Sequence, residues 1–171
     1  MISVLASAAD KTYPFEYMAA LLDYIAKASE AQFLFNYIPS QEREARLIYQ
    51  ACKEGTRDRI FIDLFGKSLR EFMGLTAHCT ALIGNEGGAV NMAKALDIPT
   101  FTIFSPWIKP EDWAVFEDGQ KHVSVHLRTF NNEPYRNLEA YKKLRKSAPK
   151  LYKEFKPELF QTELDSFLNR L

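Results

Sequence analysis

Short apolar runs alternate along the chain with amphipathic segments. A short apolar run that ends at turn residues is typical of a buried β-strand. Runs of this kind predict strands at residues 2–6, 32–37, 59–63, 80–83, 100–104 and 122–127.

The segments between these strands place apolar residues at the i, i+3, i+4 and i+7 spacing of one helical face. Pro14 suits the first turn of a helix that we expect to end near Ser29. Further helices are predicted at residues 41–53, 68–78 and 88–96. Strands that alternate with helices indicate an α/β fold with a doubly wound parallel sheet, the Rossmann-like arrangement.

The alternation of short apolar strands with amphipathic helices ends in the last quarter of the chain. We therefore predict a Rossmann-like domain over residues 1–130 and a helical extension that packs on it over residues 131–171. The end of this extension is predicted to be a helix, and we expect its apolar stripe either to pack on the sheet's own helices or to form a homodimer. The stripe consists of Phe160, Leu164, Phe167, Leu168 and Leu171.

Composition indicates one folded domain without a nucleic-acid partner. The 171 residues include 22 acidic and 22 basic side chains, and 47% are hydrophobic. This composition is average for globular proteins, and a zero net charge provides no basic footprint for a polyanion. Cys52 and Cys79 lack the CxxC spacing of a zinc site and form at most a thin disulfide framework, so we expect a reducing compartment.

Membrane segments are not predicted. No apolar run approaches the roughly 20 residues that span a bilayer, and the first residues lack the pattern of a signal peptide. We expect a cytoplasmic protein, with at most peripheral contact with the inner membrane. Such contact would use the basic run at residues 142–146, for which a solvated helix face is the alternative.

The turn at residues 84–88, Gly-Asn-Glu-Gly-Gly, is the segment most informative about function. It joins the fourth predicted strand to a helix. Glycines at such a junction let backbone N–H groups face outward at the positive end of the helix dipole, which favours a phosphate. The turn matches neither a Walker A loop nor GxGxxG, and an ordinary tight turn is the alternative interpretation.

Lys11 follows the first predicted strand, as the glycine turn follows the fourth. Ligands of doubly wound sheets collect beyond the carboxyl ends of the strands. We therefore expect Lys11 and the turn to share one cleft, with a solvated loop lysine as the alternative.

Other polar and aromatic residues carry weaker signals. His122 and His126 lie on one face of a predicted strand, but two imidazoles without a third ligand favour a structural role over a metal site. Trp107 and Trp113 follow the fifth strand and are expected either to border the cleft or to pack within a long loop.

Four segments occur in the order of a known family. They are KTYP at residues 11–14, GKSLRE at residues 66–71, GNEGGAVNMA at residues 84–93 and LDIPTFTIFSP at residues 96–106. They resemble the Lys-x-Trp-Pro, Gly-x-x-Ser-Leu-x-Glu, Gly-Asn-Asp-Ser/Thr-Gly-x-x-His-x-Ala and following Leu-Gly-Ile-Pro-Thr segments of glycosyltransferase family nine. This family comprises the lipopolysaccharide heptosyltransferases and their relatives. About residues 2–110 of the chain resemble the C-terminal half of these proteins.

The resemblance implies the C-terminal half of a GT-B fold and binding of a nucleotide-diphospho-sugar donor such as ADP-heptose. It implies transfer with inversion in lipopolysaccharide or cell-envelope glycan synthesis. Glu42 is placed at the ribose by family position, although Gln41 or Glu44 fits that position nearly as well, and an exposed acid at a helix start is the alternative. The substrate-binding residues that it implies are Lys11, Glu42, Asn85, Glu86, Gly87, Gly88 and Asn91.

Two of these residues depart from the family pattern: Glu86 replaces an aspartate and Asn91 replaces a histidine. Because the resemblance begins at the first strand of the family's C-terminal half, we expect the N-terminal acceptor half, which provides the general base, to be missing, either because the chain is an excised domain or because that half is another chain. We therefore expect the chain alone to bind donor without transferring sugar. No Asp-x-Asp motif for a divalent ion is present, and no cofactor is expected. A non-catalytic nucleotide-binding or protein-interaction module that retains the fold is the alternative.

Overall fold

The computed structural model describes residues 1–136, 141 and 143–171. Its strands are β1 (Ile2–Ser3), β2 (Phe33–Asn36), β3 (Ile60–Phe61), β4 (Leu82–Asn85), β5 (Thr100–Ile103) and β6 (His122–Val125). Within the described residues these six strands form one parallel sheet in the order β3-β2-β1-β4-β5-β6. This is the strand order of the doubly wound Rossmann-like fold, which confirms the predicted fold class.

Helices flank this sheet. The α-helices are α1 (Phe15–Ala28), α2 (Glu42–Ala51), α3 (Glu54–Arg57), α4 (Leu69–Ala77), α5 (Gly88–Ala95), α6 (Leu127–Phe130), α7 (Ala148–Glu154) and α8 (Gln161–Leu168). Short 3-10 segments lie at Ala9–Lys11, Pro39–Gln41, Pro110–Asp112, Glu133–Tyr135, Arg145–Ser147 and Pro157–Phe160. No helix in the described ranges is both long enough and apolar enough to cross a membrane.

Several element boundaries differ from the sequence prediction: β1, β3 and β6 are shorter than predicted, and two other differences have an identifiable cause. The fourth strand extends to Asn85, two residues further into the glycine turn than predicted, because it pairs with β5 along its whole length. The helix predicted at residues 41–53 ends at Ala51, because Cys52 has an extended backbone, and the short helix α3, which was not predicted, begins at Glu54. The N–H of Lys53 donates to the carboxylate of Asp23 on α1 at 3.0 Å, which fixes this break.

Apolar side chains are buried on both faces of the sheet. Adjacent residues of a strand point to opposite faces, so Ile83 joins the larger core with α1 and α2, while Leu82 joins a smaller core with α4 and α5. A sheet covered on both faces requires strands that are apolar throughout, and this explains the short continuous apolar runs in the sequence.

The C-terminal extension completes the larger core. Phe160 and Phe167 are fully buried and contact Phe101 of β5, with ring centroids 6.0 and 5.6 Å apart. Leu164 is buried as well, whereas Leu171 keeps 47% of its surface exposed. Most of the apolar stripe therefore packs on its own domain, while the homodimer and the domain boundary at residue 130 stay predictions. In the basic segment, residues 137–140 and 142 lie outside the described residues.

Candidate functional site at the carboxyl end of the sheet

The turn that carries Lys11 is held from several sides. Trp107 Nε1 donates to the carbonyl oxygen of Asp10 at 2.8 Å, and Ser105 Oγ donates to the same oxygen at 3.3 Å. On the other side, the hydroxyl of Tyr152 in α7 donates to the carbonyl oxygen of Lys11 at 2.9 Å. The segment after β5 and the C-terminal extension thus fix the backbone on both sides of this lysine.

Asn85 joins the Lys11 turn to the glycine turn. Its Oδ1 accepts a hydrogen bond from the N–H of Tyr13 at 2.7 Å, and its Nδ2 donates to the carbonyl of Ser3 at 2.9 Å. The side chain is 0% exposed. Buried amides are stabilised by such bonds, and here they connect the end of β4 to the end of β1. Asn85 is therefore a buried residue that holds the backbone of the site in place.

Two glycines shape the turn around Asn85. Gly84 has φ +131°, and a Cβ atom there would lie 2.4 Å from the carbonyl oxygen of Ser3, so only glycine permits β1 and β4 to approach. Gly87 has φ +144° and is the N-cap of α5. It provides no side-chain cap, and the N–H groups of Gly88 and Ala89 occupy the first helical positions. Amides at these positions have no partner within a helix and favour an anion.

Glu86 lies in the same turn and contacts Lys11. Its Oε1 is 3.7 Å from Lys11 Nζ, and the residue is only 6% exposed. This oxygen has no hydrogen-bond partner within the part of the chain that the structure describes. Burial raises the pKa of the Glu86 carboxyl, and the Lys11 ammonium opposes that rise. The structure thus brings Lys11 into contact with the turn at residues 84–88, as predicted, whereas a shared ligand cleft stays a prediction.

Two indole rings flank the Lys11 ammonium. Its Nζ lies 5.6 Å from the ring centroid of Trp107 and 5.5 Å from that of Trp113. Arg145 contacts Trp107 as well, with Cζ 4.9 Å from the ring centroid. Cations are attracted to indole faces at these distances. The site therefore combines two cations, two indoles and the start of α5.

The segment that carries Trp113 is tied to α5 by a buried lysine. Lys94 has a side chain that is 2% exposed, and its Nζ donates to the carbonyl of Val115 at 2.7 Å. It also forms an ion pair with Glu117. These contacts of Lys94 hold the segment after β5 against α5.

The remaining predicted binding residues lie at different places. Asn91 is exposed on α5 and lines a small cavity with Glu86 and Trp113. Glu42 is exposed at the start of α2, where its carboxylate pairs with Arg46 at 2.8 Å. Its described contacts do not bring it to Lys11, and its role at a ribose stays a prediction.

The GKSLRE segment has a structural role. Ser68 Oγ accepts from the N–H of Glu71 at 3.2 Å, and the Glu71 carboxylate accepts from the N–H of Lys67 at 2.9 Å. These bonds cap the start of α4. A Cβ atom on Gly66 would lie 2.4 Å from the backbone nitrogen of Phe72, so this position requires glycine.

The two histidines are buried structural residues. His122 Nδ1 lies 3.1 Å from Thr100 Oγ1 in the adjacent strand. His126 Nδ1 accepts from the N–H of Arg128 at 3.0 Å and caps α6. Burial lowers the pKa of His126 to about 4, so the imidazole is neutral near pH 7.

Sequence reasoning missed the roles of Asp10, Lys94 and Arg145. Lys94 lies on a helix face where a lysine is ordinarily solvated, and Arg145 lies in a basic run interpreted as a membrane contact or a solvated face. The only sequence signal near them is the pair of tryptophans after β5.

Taken together, these features define a Rossmann-like α/β domain with a site at the carboxyl ends of β1 and β4 in which two cations, Lys11 and Arg145, are each paired with an acid. The chain belongs to glycosyltransferase family 9 (heptosyltransferase), whose sequence model matches residues 1–142. This confirms the resemblance on which the site residues were predicted.

Two solved structures are similar to the chain. One is ADP-heptose LPS heptosyltransferase II of E. coli, with 14% identity and a TM-score of 0.60. The other is a family 9 glycosyltransferase from Veillonella parvula DSM 2008, with 15% identity and a TM-score of 0.61. Each match covers 90% of this chain, but only 46% and 45% of the other chains. The chain thus spans about half the length of these proteins. No curated protein sequence matches it.

Proposed function

We propose that the chain is the donor-binding half of a family 9 glycosyltransferase, and that its site binds the diphosphate of a nucleotide sugar. The single observation that carries this proposal is the 3.7 Å contact of Lys11 Nζ with Glu86 Oε1, two residues before α5 begins at Gly88. The Lys11 ammonium and the first N–H groups of α5 both follow the carboxyl ends of strands. A positive charge and unpaired N–H donors are the groups that bind a diphosphate.

The chemistry of sugar transfer requires such a site. A departing nucleoside diphosphate accumulates negative charge, which Lys11 and the amides of Gly88 and Ala89 are placed to stabilise. Glu86 pairs with the Lys11 ammonium before a donor arrives. An incoming diphosphate then replaces the buried Glu86 carboxylate as the partner of Lys11. No covalent step on these residues is needed for this role.

Family membership supports a proposal for the donor and the pathway. We propose an ADP-heptose-like donor and an inverting transfer in lipopolysaccharide or cell-envelope glycan synthesis. The acceptor and the general base would lie outside the segment that the chain shares with its structural neighbours. The chain alone is then expected to bind donor without transferring sugar.

Calorimetry with the chain tests donor binding. We expect ADP to bind and adenosine to bind far more weakly, because the diphosphate provides the main contacts. Lys11→Ala is expected to weaken ADP binding by about 1.5 to 3 kcal/mol, the range for hydrogen bonds to charged groups. Lys27→Ala is the matched control, since Lys27 is exposed in the last turn of α1.

The comparison of ADP with GDP and UDP identifies the base preference. Equal affinity of Lys11→Ala and the wild-type chain for ADP would contradict the diphosphate site. Failure of all three nucleotides to bind would favour the alternative of a non-catalytic interaction module.

A further inference from the structure

Arg145 is the second cation beside the Lys11 turn. It opens the 3-10 segment Arg145–Ser147 and lies beyond residues 1–142, the part that matches the family. Its Nε donates to Asp10 Oδ2 at 2.5 Å, and its guanidinium stacks on Trp107. Asp10 immediately precedes Lys11, so the Arg145 guanidinium contacts the same short turn that carries Lys11.

The guanidinium keeps its outer edge available. Arginine has five N–H donors, and here the Nε–H is bonded to Asp10. The Nη1 and Nη2 groups make no hydrogen bond within the described ranges, and 63% of the side chain is exposed. This edge is the part of arginine that binds two phosphate oxygens at once.

Both cations contact Trp107. Arg145 Cζ and Lys11 Nζ lie 4.9 and 5.6 Å from the centroid of the same ring. Asp10 and Trp107 fix the orientation of the Arg145 guanidinium before any ligand binds. Less side-chain entropy is then lost when a ligand binds. Each cation is paired with one acid, Asp10 or Glu86.

From this arrangement we propose that Arg145 binds one phosphate of the nucleoside diphosphate bidentately, while Lys11 and the start of α5 bind the other. The proposal rests on the proposed donor-binding function. It assigns a binding role to a residue that lies outside the family match.

The test compares ADP, AMP and inorganic pyrophosphate by calorimetry. Arg145→Ala is expected to weaken ADP and pyrophosphate binding about tenfold and to change AMP binding less than twofold, because AMP has a single phosphate. Arg145→Lys is expected to recover only part of the affinity, since an ammonium lacks the planar fork. Lys146→Ala, a neighbouring exposed cation, is the matched control and should match the wild-type chain.

The variant Asp10→Asn distinguishes two roles of Arg145, namely binding a phosphate and supporting the turn through Asp10. If Arg145 acts only by holding Asp10, Arg145→Ala and Asp10→Asn should weaken ADP and AMP equally, and this result would overturn the proposal. Unchanged ADP affinity in Arg145→Ala would overturn it too and leave the proposed function intact. Arginine-dependent binding of pyrophosphate without binding of any nucleotide would refute the donor function alone, and binding of neither would refute both.

Discussion

The ammonium of Lys11 lies 3.7 Å from a carboxylate oxygen of Glu86, and the acid is the more deeply buried partner. Burial raises the pKa of Glu86 more than the lysine lowers it. The ionised acid is therefore a net cost to the fold. The pair keeps Lys11 beside the start of α5, where a diphosphate would displace the carboxylate.

Glu86→Gln is expected to stabilise the fold near pH 7. Since the pKa of Glu86 is raised in the folded state, that state binds the proton more tightly, and the wild-type chain loses stability as pH rises through the raised pKa. The glutamine variant does not titrate. Its advantage in denaturant unfolding should shrink as pH falls toward the ordinary value of 4.5.

The control for this experiment is Glu30→Gln, because Glu30 is exposed and forms a surface ion pair with Arg59. We expect little change in its free energy of unfolding. A Glu86→Gln variant less stable than the wild-type chain at pH 7 would show that the bond to Lys11 outweighs the cost of burial.

Gly84→Ala is expected to reduce the free energy of unfolding by about 3 kcal/mol or more. The variant would place a Cβ atom 2.4 Å from the carbonyl oxygen of Ser3 and would strain a φ of +131°. Gly74→Ala is the matched control, because nothing lies within 4 Å of a Cβ at this exposed position in α4. That variant should gain about 0.5 to 1 kcal/mol. Equal effects in urea unfolding would contradict the close approach of β1 and β4.

Lys94→Met should release the segment that carries Trp113. Removal of the ammonium leaves Glu117 without its partner and the carbonyl of Val115 without its donor, at a cost of about 3 kcal/mol. Hydrogen exchange in residues 113–119 should then become faster than in the wild-type chain. Lys121→Met, which breaks an exposed ion pair with Asp97, should leave this exchange unchanged. Equal rates in Lys94→Met would show that other contacts hold the segment.

Tyr13→Phe is expected to cost about 1 to 3 kcal/mol of stability. The Tyr13 hydroxyl is buried and donates to the carbonyl of Phe155 at 2.7 Å, which connects the first loop to the C-terminal extension. Thermal unfolding measures the change. Tyr49→Phe is the control, since no hydrogen bond from the Tyr49 hydroxyl is seen among the described residues, and a loss of equal size there would refute the role of the bond.

The fold was predictable because its signals are local. The apolar runs and helical periodicities predicted each strand and the helices α1, α2, α4 and α5 to within a few residues, and the alternation predicted a parallel sheet. The shorter helices α3, α6 and α7 were not predicted. The break at Cys52 was missed because it depends on Asp23, which lies in another helix. A contact between distant segments leaves no trace in local periodicity.

The site was predictable only in part for the same reason. Lys11 and the glycine turn were found because both follow strands and carry recognisable motifs. Asn85 was predicted to bind substrate, whereas its described hydrogen bonds all go to the backbone of the first loop and strand. Arg145 reaches the site only through the fold of the C-terminal extension, which no spacing rule relates to Asp10.

The most direct test of the central claim is a titration of the ¹⁵N-labelled chain with ADP, followed by amide chemical shifts. The diphosphate site predicts that the largest shifts fall on the amides of Gly87, Gly88 and Ala89, with smaller ones in the Lys11 turn. The same amides should respond weakly to adenosine and weakly to ADP in Lys11→Ala. Saturable ADP binding that leaves these amides unmoved would contradict the account.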